Sequence, residues 1–268
     1  MCKPVYFACM QVTDAVGATI TIPDAPQRIV SLVPSLTELL YALGLEEKVV
    51  GITKFCVHPQ HWFRTKTRIG GTKNPNIEAI KNLKPQLIIA SKEENRLKDA
   101  EALSKHAPVY VTDVHDLGSA LHVIKTLGTI TGKQEKAIAL CEAIETAFDS
   151  LPRFKFLSAA YLIWQKPIMT VGGDTFIHSM MQQGGFSNAY ATQYRYPQIT
   201  TEELVTLAPG VLLLSSEPYP FQEKHVAYYQ RLLPQTRVMA VDGELFSWYG
   251  SRLLYAPAYF KELRKSLD

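Results

Sequence analysis

The 268-residue chain is short of cysteine: Cys2, Cys9, Cys56 and Cys141 stand far apart, with no Cys-x-x-Cys pair among them. That excludes a disulfide framework and a cysteine-built zinc site. Net charge is also scarce, 28 Lys+Arg against 25 Asp+Glu for a formal +3. No basic block exceeds a few residues, so nothing marks a nucleic-acid or membrane-surface reader. No apolar run is long enough for a transmembrane helix. Catalytic templates are missing too. Gly172-Gly173 is not a dinucleotide fingerprint, and there is no Walker-type loop or Gly-x-Ser-x-Gly elbow. Ser91-Lys-Glu-Glu-Asn95 holds acids and bases, but no nucleophile is paired with them. Enzyme activity is the less economical reading.

What is present is a globular composition, 47% hydrophobic and 20% charged. At the N-terminus, one lysine and a short apolar patch fall short of a secretory signal, although Phe7-Ala8-Cys9 faintly resembles a lipoprotein cleavage box. The chain as written is expected to carry no export signal. The stretch Gly132–Ser150 organises the rest. Ala137, Leu140, Cys141, Ile144, Ala147 and Phe148 recur at three- and four-residue steps, and Pro152 closes the run. Such a helix covers roughly 28 Å at 1.5 Å per residue, enough to cross a small domain. It reads either as a strut between two lobes or as a surface helix of one domain.

Either side of it, strands and helices alternate, the pattern of a mostly parallel, doubly covered sheet. A hairpin is expected around Gly17, and strands at 28–34, 48–53, 86–91, 108–112, 157–164, 168–171, 211–215 and 236–241. Ser35 and Glu38, like Thr200 and Glu203, have the spacing of a capping box. An internal repeat favours two lobes. Ile77–Glu93 aligns without gaps to Thr201–Glu217 at a constant shift of 124 residues (209 − 85 for the two prolines). A helix, a Pro stop, an apolar strand and a polar tip therefore occur once per half. The expected domains are 1–115, a connecting segment 116–150, and 151–268.

Loops leaving strand ends hold Pro34 and Ser35, Phe55 to Trp62, Trp164 and Gln165, and Asp242 to Arg252. Ligands of open α/β folds sit at such edges. The density of rings there suggests a grip on a large flat or apolar ligand, while some of those rings will plug loop bases into each core. Cys56, His58 and His61 do not define a metal site; His58 is either solvated or a single axial ligand to the metal of a bound macrocycle. Arg252 would pair with a ligand carboxylate or phosphate, or bond a neighbouring carbonyl.

These residues together resemble the substrate-binding proteins of ABC importers for cobalamin, haem and ferric siderophores. The resemblance runs from Arg28-Ile-Val-Ser-Leu-Val-Pro-Ser-Leu-Thr-Glu38 through the Pro85 and Pro209 strands to Ser251-Arg252. Cobalamin binders are nearest, through Thr170-Val-Gly-Gly-Asp-Thr-Phe-Ile177, Tyr196-Pro-Gln-Ile-Thr200 and the Asp242–Arg252 loop. Two positions depart from that group. Gly70-Gly-Thr-Lys73 stands where a tryptophan often precedes the helix, and Tyr196-Pro197 stands for Trp-Pro.

The resemblance implies an α/β fold of two Rossmann-like lobes joined by a single long backbone helix, like class III periplasmic binding proteins. It implies a monomer, a few degrees of opening, and no intrinsic cofactor. The ligand would be a metal-containing macrocycle or chelate, a corrinoid first, bound in the cleft between lobes and delivered to an ABC importer permease dimer outside the cytoplasm. A ferric-siderophore or haem receptor is the alternative, and a cytosolic chelatase-like cofactor-handling protein another. Ligand contacts are expected at Pro34, Ser35, Phe55, His58, Trp164, Tyr196, Trp248, Tyr249 and Arg252. Glu78 and Glu202, one per half, would dock into permease arginines; simple capping support in their helices' first turns is the competing role.

Overall fold

A computed structural model describes residues 9–267; residues 1–8, with the reading of the N-terminal segment, lie outside the described residues. The chain divides into two compact units. One takes residues up to Val114, Gly118–Ala143 and Tyr249–Ser251; the other takes His115–Leu117, Ile144–Trp248 and the chain from Arg252 onward. Among the described residues no helix is long and apolar enough to cross a membrane.

The first unit opens on an antiparallel hairpin, β1 (Cys9–Thr13) and β2 (Thr19–Pro23), turned through Gly17 at φ +81°. Next come β3 (Ile29–Ser31), α1 (Pro34–Ala42), β4 (Val49–Ile52), α2 (Gln60–Thr65) and β5 (Thr67–Arg68). After these stand α3 (Ile77–Asn82), β6 (Leu87–Ser91), α4 (Leu97–Ser104) and β7 (Val109–Thr112). Five strands form one parallel sheet in the order β5-β4-β3-β6-β7. β3, β6 and β7 are buried at every position, as apolar strands of a sheet covered on both faces are.

Two consecutive helices follow, α5 (Leu117–Ile130) and α6 (Gln134–Asp149). Ala137, Cys141, Ile144 and Phe148 form the buried face of α6, at the spacing read from the sequence. One of the passages from one unit to the other falls inside this helix, between Ala143 and Ile144. Gly128 of α5 permits a close approach: a Cβ there would overlap that of Ala137.

The second unit contains β8 (Leu157–Leu162), β9 (Trp164–Gln165), β10 (Ile168–Met169), α7 (Phe176–Gln183), β11 (Phe186–Asn188) and β12 (Gln198–Ile199). It continues with α8 (Thr201–Leu207), β13 (Val211–Ser215), α9 (Glu223–Leu232), β14 (Arg237–Val241) and α10 (Glu244–Ser247). A 3-10 turn at Ser251–Leu254 precedes α11 (Ala256–Lys265). Its parallel sheet runs β11-β8-β13-β14, with a small antiparallel sheet β12-β10-β9 beside it in sequence. Leu162, Leu204, Leu212, Leu214 and Tyr229 are the centre of a buried cluster in this unit.

The sequence repeat is a structural repeat. α3 and α8 start at equivalent residues, capped by the equivalent Asn76 and Thr200 side chains. Lys84 (φ +46°) and Ala208 (φ +42°) take the same left-handed step before Pro85 and Pro209. β6 and β13 then cover equivalent residues. Beyond them, Ser91 Oγ accepts the Glu93 N–H at 3.2 Å and Ser215 Oγ accepts that of Glu217 at 3.3 Å.

Two local expectations need correction, and one helix was not expected. The helix after β3 starts at Pro34, not behind a Ser35 cap: Val33 is the cap residue and makes no side-chain cap bond. Proline suits the first helical position because its missing N–H would be unpartnered there anyway. The stretch Phe55 to Trp62 is not all loop, since α2 takes Trp62 and buries it completely. Finally, α9 is hidden in the sequence behind the Pro218 and Pro220 turn, although Val226, Tyr229 and Leu233 have helical spacing.

Candidate functional site

In the first unit, the candidate residues gather where β3, β6 and β7 end. Pro34 and Ser35 begin α1, both buried, and Ser35 Oγ has no hydrogen-bond partner among the described residues. Tyr249 is 4% exposed. Its hydroxyl donates to Glu94 Oε1 at 3.5 Å, near the hydroxyls of Ser91, Thr112 and Ser35. Burial, reinforced by the Glu94 charge, pushes the Tyr249 phenol far up, so the group stays protonated. Gly250 beside it takes φ +105°, and a Cβ there would crowd Leu39 at 3.2 Å.

Phe55 is 50% exposed, with Lys54 Nζ 5.0 Å from its ring centre. His58 is half-buried. Its two metal-capable neighbours are engaged elsewhere. The Cys56 thiol is fully buried at 3.1 Å from both Thr37 and Thr53 hydroxyls, and burial pushes its pKa up, away from the thiolate a metal needs. His61 bonds Glu46 at 3.1 Å.

In the second unit, Trp164 is 38% exposed and donates its indole N–H to the Lys166 carbonyl at 3.0 Å. Tyr219 meets its ring edge-on at a centroid distance of 5.6 Å. Tyr196 is half-buried under Arg195, whose guanidinium lies 5.7 Å from the ring. Trp248 is 7% exposed and donates its indole N–H to Glu217 Oε1 at 2.8 Å; Ser247 Oγ donates to the same oxygen. Arg252 lies over the Trp248 ring at 5.2 Å and pairs with Glu244 at 3.0 Å. One of its partners inside the chain is thus a carboxylate.

Glu217 is the residue that sequence reasoning passed over. Burial first, then the nearby Glu244 and Asp242 charges, raise its pKa, while Ser247 and Trp248 act against the rise. Gly243 is required beside it, because a Cβ there would strike Ser215 Oγ and Glu217 Cγ. The repeat makes Glu217 the partner of Glu93, and that is the signal the sequence offers.

Each unit also carries one of the acidic residues expected to dock. Glu78 lies in the first turn of α3, its side chain 74% exposed and 3.8 Å from Lys81. Glu202 is exposed in the first turn of α8, where Thr200 and Glu203 form the complete capping box.

Comparison with known proteins identifies the family. Residues 29–232 match the periplasmic binding protein family model. An uncharacterized ABC transporter substrate-binding lipoprotein, YvrC of Bacillus subtilis, is 32% identical over 91% of this chain and 81% of its own length. The vitamin B12-binding protein of Vibrio parahaemolyticus is 25% identical over 74% of each. Among solved structures, the periplasmic vitamin B12 binding protein BtuF of Vibrio cholerae matches with a TM-score of 0.77 at 24% identity, covering 91% of this chain and 100% of that one. The catecholate-siderophore binding protein VctP of the same organism matches at 0.78 and 18% identity, covering 95% and 100%. These two structures share its fold, an α/β architecture of the class III kind. The chain belongs to the periplasmic binding protein family.

Proposed function

We propose that this chain is the extracytoplasmic substrate-binding component of an ABC importer and that its ligand is a cobalamin-type corrinoid. The observation that carries the reading is the run of curated relatives named as vitamin B12-binding proteins, alignable over most of the chain. The half-exposed rings of Phe55 and Trp164 support it, as stacking surfaces for a flat macrocycle. Tyr196 extends the aromatic surface, and Arg252 orients a polar substituent from its seat on Trp248. Trp248 in one unit and Pro34, Ser35 and Tyr249 in the other, all buried, are the remaining candidate contacts. A haem or ferric-siderophore receptor is the second reading. VctP shares the fold, and the half-buried His58, three residues from Phe55, carries an imidazole of the kind that ligates haem iron.

Titration of the purified chain with cyanocobalamin, haemin and a ferric catecholate, followed by absorbance and calorimetry, tests this. Cyanocobalamin should bind tightest. Trp164→Ala should weaken that binding by on the order of 1–3 kcal/mol, the loss of one aromatic contact. Tighter binding of haemin, abolished by His58→Ala, would overturn the corrinoid reading in favour of the second. Binding of none of the three would remove both.

A further inference from the structure

Tyr219 leaves the same end of β13 as Glu217 and lies beside Trp164. A ligand contact at Tyr219 rests on Trp164 being a ligand-stacking ring. The tyrosine is half-buried, with Phe221 against it at a centroid distance of 4.8 Å and Trp164 at 5.6 Å. Its hydroxyl lies 3.2 Å from His225 Nε2. The other ring nitrogen, Nδ1, accepts the Gln222 backbone N–H at 2.8 Å.

A backbone amide only donates, so Nδ1 presents a lone pair and the neutral imidazole carries its proton on Nε2. Burial and the neighbouring Lys224 charge lower the His225 pKa and favour that neutral form. Nε2–H therefore donates to Tyr219 Oη, and the tyrosine's own proton must point elsewhere. Among the described residues no acceptor takes it.

The repeat supplies an independent contrast. The position equivalent to Tyr219 in the first unit is Asn95, 8% exposed. The Asn95 side chain is consumed internally: it accepts from Ser91 N–H at 2.8 Å and donates to the Thr72 carbonyl at 2.9 Å and the Leu32 carbonyl at 3.4 Å. At equivalent sequence positions, one unit spends its polar group on the fold and the other holds a donor next to an aromatic ring.

We propose that Tyr219 is a specificity-determining residue whose hydroxyl donates to a carbonyl or carboxylate oxygen on the periphery of the macrocycle stacked on Trp164, and that His225 is a positioning residue fixing the direction of that proton. Corrinoid amides and haem carboxylates both offer such an oxygen. A competing role is purely structural, His225 merely tying the 216–222 turn to α9.

The test compares wild type, Trp164→Ala, Tyr219→Phe, His225→Ala and the Tyr219→Phe/His225→Ala double variant. Affinities are measured for cyanocobalamin, for haemin, and for iron octaethylporphyrin, which stacks but carries no peripheral oxygen. Tyr219→Phe should weaken the preferred of the first two about tenfold, as loss of one directed hydrogen bond does, and leave iron octaethylporphyrin unchanged. His225→Ala should cost less, and nothing further once Tyr219 is phenylalanine, which a structural tie would not produce. The preference between cyanocobalamin and haemin in wild type identifies which oxygen is read. Unchanged affinity in Tyr219→Phe, with binding weakened in Trp164→Ala, overturns the proposal and leaves the functional reading standing. Unchanged affinity in both, or no binding by wild type, overturns the Trp164 reading and this proposal with it.

Discussion

A single carboxyl, Glu217, shows how side chains near the candidate site are held. It accepts from both Ser247 and Trp248, so it fixes the segment that leads into Arg252. Burial raises its pKa above the usual 4.5, so the folded state prefers the protonated form. Its contribution to stability is therefore full below about pH 4.5 and is lost as pH rises through the raised folded value. Glu217→Gln keeps an oxygen acceptor for both donors and removes the charge. The variant's thermal midpoint should match or trail wild type near pH 4 and overtake it by pH 7. A difference that does not change with pH would mean that the carboxylate is stabilised where it lies.

Between elements, one close dependence is the contact of α5 with α6. Gly128 has no positive φ to justify it; the glycine is there because Ala137 of the next helix fills the space a methyl would take. Gly128→Ala gains about 1 kcal/mol of helix propensity but overpacks this seam, at a cost of about 1–3 kcal/mol. The net effect should be a lower urea midpoint with an unchanged slope. A midpoint at or above wild type would show that the two helices separate without cost. α6 carries the chain from one unit into the other, so Gly128→Ala also probes the segment that both units share.

Across the molecule, the paired carboxylates Glu78 and Glu202 are the feature suited to a partner with two equivalent subunits. Each unit contributes one, at equivalent places in equivalent helices. We propose that they dock onto permease arginines. Glu78→Ala with Glu202→Ala should leave ligand affinity unchanged and reduce permease association and transport severalfold. The difference from wild type should shrink as added salt screens the native pairing. Transport equal to wild type at low salt would reduce both residues to capping support, with Lys81 as the local partner of Glu78.

Much of the fold is legible in the sequence because its determinants are local or periodic. Buried parallel strands such as Leu87–Ser91 and Val211–Ser215 are continuous apolar runs, and α6 advertises its face at 137, 141, 144 and 148. The capping box at Thr200 and Glu203 is a four-residue signal, and both of its hydrogen bonds form. A repeat at an offset of 124 residues marks the two equivalent segments, since a helix, a proline stop and an apolar strand at equal spacing fold into equal elements. The side chains of the candidate site are less legible. Nothing in Phe246-Ser-Trp-Tyr-Gly250 tells what each ring packs on; the folded chain puts Trp248 on Glu217 in one unit and Tyr249 near Ser35 in the other. Arg252 is visible as a cation, but its pairing with Glu244 depends on how a 3-10 turn folds back towards α10. The tautomer of His225 needs two partners, six residues and three residues away, whose approach depends on how the turn at Tyr219 meets α9. Periodicity and caps are written in neighbouring residues, whereas burial, ion pairing and proton placement depend on chain segments that meet only when the sheet has formed.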